Sequence, residues 1–234
     1  MKPFLTAEWR RLILLTYAID PSLLIPHLPK GLELDMRDGR AFVSFVAFDF
    51  LNTKVKGIPF PFHINFPEIN LRFYVKRGET RGVCFIKELV PRRMIALIAN
   101  KLYNEPYEYT PMTSKSRLEK GQWIVEHQFD YGGQSHRVCF IAEDKPYFPP
   151  EDSTEFFFKE HEWGFGTSHQ QKLLQYRVEH PIWRIYPLET RFDLDIDFGL
   201  VYGKKWSFLN TQIPFNIMLA EGSGVKVFMG EEVA

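Results

Sequence analysis

Phe66-Pro67-Glu68-Ile69-Asn70-Leu71-Arg72-Phe73-Tyr74-Val75 alternates without a break. Ile69, Leu71, Phe73 and Val75 fall on one face of an extended strand, and Glu68, Asn70, Arg72 and Tyr74 on the other. A face carrying an acid, an amide, a guanidinium and a phenol either meets water or lines a polar pocket. Along one strand the Cα atoms of Glu68 and Arg72 stand about 13–14 Å apart. Their partners therefore have to come from other strands or from a ligand.

The stretch returns through Arg77-Gly78-Glu79-Thr80 into Gly82-Val83-Cys84-Phe85-Ile86-Lys87-Glu88-Leu89. A loop of two or four residues places Tyr74 opposite Val83, Arg72 opposite Phe85, Asn70 opposite Lys87 and Glu68 opposite Leu89. Lys87 then joins the polar face. A three-residue loop sends it to the other side.

Upstream, residues 9–20 read as a strand, and Asp20-Pro21 starts a helical turn with an Asp cap. Asp38-Gly39 is a hairpin signal leading into Ala41–Leu51, a nearly continuous apolar run that predicts a central strand covered on both faces. The segment Asn52–Pro67 reads as a loop carrying Pro59, Pro61, Phe60, Phe62 and Phe66. It suits either the roof of a pocket or a strap over the end of a barrel.

Downstream, Pro91 opens a helix whose apolar residues Met94, Ile95, Leu97, Ile98 and Leu102 recur at helical spacing, and Asn104-Glu105-Pro106 ends it. Tyr107–Leu118 reads as a strand. Trp123–Tyr131 and Gln134–Glu143 form a hairpin across Gly132-Gly133, pairing Phe129 with His136 and His127 with Val138 on a core face. Those histidines suit core packing, and His161-Glu162 lacks the second His of a zinc helix, so no metal is expected. Asp193–Val201 suits a short helix, while Gln212–Ala220 and Val225–Met229 suit two closing strands around a Gly222-Ser223-Gly224 turn.

The totals agree with one globular domain over residues 1–234. The 234 residues include 45% hydrophobic, 25% charged and 16% aromatic side chains, with 22 Phe. Lys plus Arg equals Asp plus Glu at 29 each, which argues against a nucleic-acid partner. Cys84 and Cys139 sit in apolar runs and suit buried thiols of a cytoplasmic protein. No run approaches the ~20 apolar residues of a membrane span, so no membrane partner is expected. No motif asks for a cofactor, and the sequence leaves a homo-oligomer open.

Several stretches together resemble a bacterial domain of unknown function, the YqjF-like family. They are Leu28–Asp35, Asp38–Val43, Pro67–Val75, Arg81–Phe85 and His180-Pro181-Ile182-Trp183. That family is in turn similar to the acetoacetate decarboxylase superfamily. The resemblance implies an α+β, mostly β fold: an antiparallel, acetoacetate-decarboxylase-like closed β-barrel with a few short helices and an internal pocket. The superfamily's Schiff-base chemistry uses a Gly-x-Pro-Lys-Lys motif after a helix. The matching place here keeps Pro106 but reads Tyr107-Glu108, so an imine at that position is excluded.

Three readings of the polar face follow. In an enzyme of lyase or hydrolase type, Arg72 clamps a small organic acid or other oxyanion, with Asn70 beside it in the pocket. Glu68 then acts as base, Tyr74 and Tyr107 donate to an oxyanion, and Lys87 supplies an amine in the even-loop register. In a binding protein the same residues hold the ligand without chemistry. In a structural network they satisfy one another and close the barrel.

Overall fold

A computed structural model describes residues 2–233, with the backbone alone at 102, 103 and 189–191. The strands are β1 (Leu5–Ile19), β2 (Glu33–Leu34), β3 (Ala41–Val55), β4 (Phe66–Arg77), β5 (Thr80–Val90), β6 (Tyr107–Tyr109), β7 (Met112–Glu119) and β8 (Gln122–Tyr131). They continue as β9 (Gln134–Glu143), β10 (Trp163–Thr167), β11 (Leu173–Glu179), β12 (Ile185–Tyr186), β13 (Leu188–Asp195), β14 (Asn216–Val227) and β15 (Glu231–Val233). The α-helices are α1 (Arg93–Tyr103), α2 (Thr154–Lys159) and α3 (Phe198–Tyr202).

The larger sheet runs β14-β1-β3-β4-β5-β10-β11, and β11 pairs again with β14 through Val178↔Val227 and Glu179↔Lys226. These strands therefore close into a ring. The ring is mixed rather than antiparallel, because β5 lies parallel to β6 and to β10. The reason is the connections. After β5 the chain crosses over through α1, and later through β7, β8, β9 and α2, so it re-enters in the same direction.

The second sheet, β13-β9-β8-β7, carries the Gly132-Gly133 hairpin in the register expected from its sequence, with Phe129 opposite His136 and His127 opposite Val138. It covers one outer side of the ring. Ile13, Leu15 and Tyr17 of β1, Phe45 of β3, and Ile69, Leu71 and Phe73 of β4 pack there with Val125, Phe129, Val138 and Phe140. His127 is buried among them.

A separate cluster draws on six of the ring strands. Leu12 and Leu14 come from β1, Phe42, Val46 and Phe48 from β3, Tyr74 from β4, Val83 and Val90 from β5, Val178 from β11, and Met218 and Ala220 from β14. Residues converging from all round a closed sheet define its interior. Ala96 of α1 and Phe158 of α2 join this cluster, so both helices cap it.

Several local expectations are corrected. Strand β3 runs on to Val55, shortening the following loop, whose Phe60 and Phe62 stand in solvent rather than roofing or strapping anything. Arg92 holds that loop beside α1 by donating to the Phe62 carbonyl. Tyr107–Leu118 divides at Pro111 into β6 and β7, one in each sheet. The acidic segment is strand as far as Asp195, and Asp197 then caps α3 by accepting from the Leu200 amide. Strand β14 passes straight through Gly222, which is no turn: its φ is +77°, and a Cβ there would sit 2.0 Å from the Trp9 carbonyl oxygen. Cys84 and Cys139 are both buried free thiols.

Candidate functional site

Strand β4 places Ile69, Leu71 and Phe73 against the second sheet. Alternation then turns Glu68, Asn70, Arg72 and Tyr74 into the ring. Glu68, Asn70 and Tyr74 are buried there. Strand β5 supplies the adjoining wall, with one irregularity. Arg72 pairs with Phe85 as expected, but Leu71 pairs with Lys87 and Asn70 with Glu88. Ile86 is the extra residue of a β-bulge. Beyond it every side chain changes face.

Lys87 is thereby removed from the site. Its Nζ donates to the Tyr131 hydroxyl at 2.7 Å and the Val201 carbonyl at 2.8 Å, and pairs with Glu108 at 3.1 Å. All three partners belong to the outer side. The ammonium expected on the polar face is replaced by the Glu88 carboxyl.

The short parallel strand β6 performs a second alternation. Tyr107 turns inward and donates to Glu68 Oε2 at 3.0 Å, while Glu108 turns outward to Lys87. Asn100 of α1 fixes this turn, its Oδ1 accepting from the Tyr107 amide and its Nδ2 donating to the Tyr107 carbonyl. Glu105, just beyond the left-handed Asn104 that ends α1, also points inward.

Glu68, Glu88 and Glu105 thus meet in the ring, and all three are buried. Tyr107 hydrogen-bonds Glu88 as well as Glu68, Glu88 reaches Glu105, and Glu105 reaches Tyr176 on β11. Asn70 Nδ2 donates to Glu68 Oε1 at 3.3 Å. Burial is the largest influence on each acid. It raises Glu68 to about 7 against the opposing pull of Tyr107, Asn70 and Arg72. Burial raises Glu105 to about 8, and it raises Glu88 well above the usual carboxyl range, helped by the charges of Glu105 and Glu68. Three acids cannot ionise together in so little space. Near neutral pH the cluster stores protons.

The next layer holds the rest of the polar face. Thr16, Ser44 and Tyr74 form a buried hydroxyl chain, with oxygen separations of 2.6 and 2.5 Å. Tyr74 and Arg72 both donate to the Phe158 carbonyl, at 3.4 and 3.1 Å. No in-strand bridge forms between Arg72 and Glu68, as the spacing required. Arg72 Nε, Asn70 Oδ1, Glu88 Oε2 and Glu105 Oε1 are buried without a hydrogen-bond partner among the described residues. Each such atom costs about 1–3 kcal/mol when left unpaired.

Of the residues proposed from sequence, Glu68, Asn70, Arg72, Tyr74 and Tyr107 come together and Lys87 does not. Glu88, Glu105 and Tyr176 were not anticipated. Glu88 depends on the bulge, which the local pattern does not announce. Glu105 carried one signal, an acid beside the Pro106 that ends an amphipathic helix.

An acetoacetate decarboxylase-like enzyme from Sphingomonas wittichii RW1 superimposes with a TM-score of 0.67 at 14% identity, covering 100% of this chain and 94% of that one. The enduracididine biosynthesis enzyme MppR in complex with pyruvate gives 0.67 at 13%, covering 100% and 92%. At these identities the likeness is one of fold. In sequence, the uncharacterised protein YqjF of Bacillus subtilis (strain 168) is 24% identical over 188 residues, covering 80% of this chain and 77% of YqjF. The family model of DUF2071, a group of uncharacterised conserved proteins, matches residues 6–223, and the chain belongs to that family.

Proposed function

We propose that the ring interior is a site for a small organic acid, worked by proton transfer rather than by an amine. The observation that carries this reading is Arg72 Nε, a buried cationic donor with no acceptor among the described residues, on the same strand face as the proton-holding Glu68. A carboxylate or other oxyanion supplies the missing acceptor. Glu68 then stands as acid or base, with the Tyr107 hydroxyl bonded to it and able to turn to a ligand oxygen. The pyruvate complex of MppR, a protein of the same fold, supports a small acid as the guest.

Neither Tyr107 nor Glu108 offers an amine, so an imine at this position has no part in the reading. What suits the cluster is a lyase- or hydrolase-like step in which a proton moves to or from the bound acid. The same contacts without turnover describe a binding protein.

A thermal-shift screen against a panel of small carboxylates tests this. At least one acid is expected to stabilise the wild type. Arg72→Met is expected to weaken that effect by about 1.5–3 kcal/mol, roughly ten- to a hundredfold in affinity. No shift with any acid overturns the reading and leaves the polar face as a structural network. Turnover lost in Glu68→Gln with binding retained separates the enzyme from the binder.

A further inference from the structure

The loop between β3 and β4 turns its apolar side chains outward. Phe62 is 87% exposed, and Ile58 and Phe60 are exposed with it. The backbone fixes this display. The Ile58 amide donates to the Val55 carbonyl at 3.0 Å and the His63 amide to the Phe60 carbonyl at 3.1 Å, and Pro59 and Pro61 stiffen the turn. Phe62 itself takes a φ of +66°, a left-handed conformation that is unusual for so bulky a residue.

Helix α1 adds to the same end of the molecule. Its N-cap residue, Arg92, donates from Nε to the Phe62 carbonyl at 2.7 Å, so the loop lies against the start of the helix. Ile95 and Ala96 face the cluster inside the ring. Met94, Leu97 and Ile98 recur on the opposite side of the helix and are exposed.

The charge of this end has one sign. Residues 52–67 and 90–104 carry Lys54, Lys56, Arg92, Arg93 and Lys101 and no acid, in a chain whose acids and bases balance at 29 each. None of the five is in an ion pair among the described residues. Lys54, Lys56, Arg93 and Lys101 are exposed, and Arg92 is half-buried.

We propose that this end docks on an anionic lipid surface, with Phe60 and Phe62 entering the headgroup boundary and the cations meeting lipid phosphates. Charge complementarity selects the partner. A second copy seated on the same face would bring these cations against their own likeness. Nucleic-acid phosphates would satisfy the cations but leave Met94, Leu97 and Ile98, which cannot stack on bases, in water. A lipid boundary takes both kinds of side chain. No helix among the described residues is long and apolar enough to cross a membrane, so the contact is with the surface.

Docking here needs no ligand in the ring. Flotation with vesicles of equimolar phosphatidylcholine and phosphatidylglycerol tests it, beside vesicles of phosphatidylcholine alone. The wild type is expected to float with the anionic vesicles, to be released as salt rises, and to leave the neutral vesicles unbound. Phe60→Ser combined with Phe62→Ser should weaken binding about tenfold or more. Arg93→Gln combined with Lys101→Gln should weaken it about twentyfold. Ile213→Ser should bind as the wild type does: Ile213 is 86% exposed, but it lies near the other end of β3, where Phe215 packs on Phe42. No flotation, equal flotation with neutral vesicles, wild-type binding in either double variant, or an equal loss in Ile213→Ser overturns the proposal. So does a dimer in sedimentation without lipid that the double phenylalanine variant dissociates, which would assign the face to a second copy.

Discussion

Glu88 stands opposite Asn70, the place that strict alternation from the Gly78-Glu79 turn assigns to Lys87. One extra residue, Ile86, makes the difference. It puts the Glu88 carboxyl where an ammonium would have stood, and with Glu68 and Glu105 the interior then holds three acids beside the Arg72 guanidinium. The acid-rich interior is why burial dominates the chemistry of the site.

Stability is expected to fall as pH rises from 6.5 to 8. Folding raises Glu68 to about 7, Glu105 to about 8 and Glu88 well upward, chiefly through burial. Above the ordinary carboxyl pKa the folded state holds protons that the unfolded chain has released, so this stabilisation fades as pH passes through the folded values. His127, lowered to about 3, and His161, lowered to about 4, both by burial, act in the opposite sense. Their cost appears only below the ordinary histidine value of 6.5. The carboxyls therefore govern the upper window, by an amount on the order of 3 kcal/mol. Urea denaturation across that range measures it, and Glu105→Gln should flatten the slope. A profile flat in the wild type contradicts the buried acids.

Lys87→Met is expected to cost about 1–3 kcal/mol, because Tyr131, Glu108 and the Val201 carbonyl lose a shared donor on the outer side. Its response to carboxylates should equal that of the wild type. A loss of ligand response with unchanged stability would return Lys87 to the interior.

Gly222→Ala is expected to cost about 2–3 kcal/mol or more, since φ is +77° and the new Cβ meets the Trp9 carbonyl. Gly224→Ala, two residues away, meets nothing within 4 Å and should change stability by less than about 0.5 kcal/mol. Equal midpoints for the two variants would mean that β14 does not pass Trp9 so closely.

Tyr74→Phe removes a hydroxyl that bonds Ser44 and the Phe158 carbonyl, yet Ser44 keeps Thr16 and the carbonyl keeps Arg72. Its cost should stay near about 1 kcal/mol. A double-mutant cycle with Ser44→Ala measures the coupling, and additivity would show that the hydroxyl chain is not one unit.

What the sequence determined by itself was local. The alternation of residues 66–75 set which side chains share a face, because successive Cβ atoms on a strand must point oppositely. Pro91 and Asn104 bounded α1, and Gly132-Gly133 set the register of β8 and β9, since those conformations belong to single residues and their neighbours. Only the tertiary structure decided the rest. The parallel entry of β10 beside β5, the bulge at Ile86, and the passage of Gly222 across Trp9 are compromises among strands far apart in the chain. Twist and ring closure impose them, and no local pattern carries them. The opening stretch thus named Glu68, Asn70, Arg72 and Tyr74 as neighbours, with Tyr107 beside them, while the ring brought Glu88, Glu105 and Tyr176 to join them.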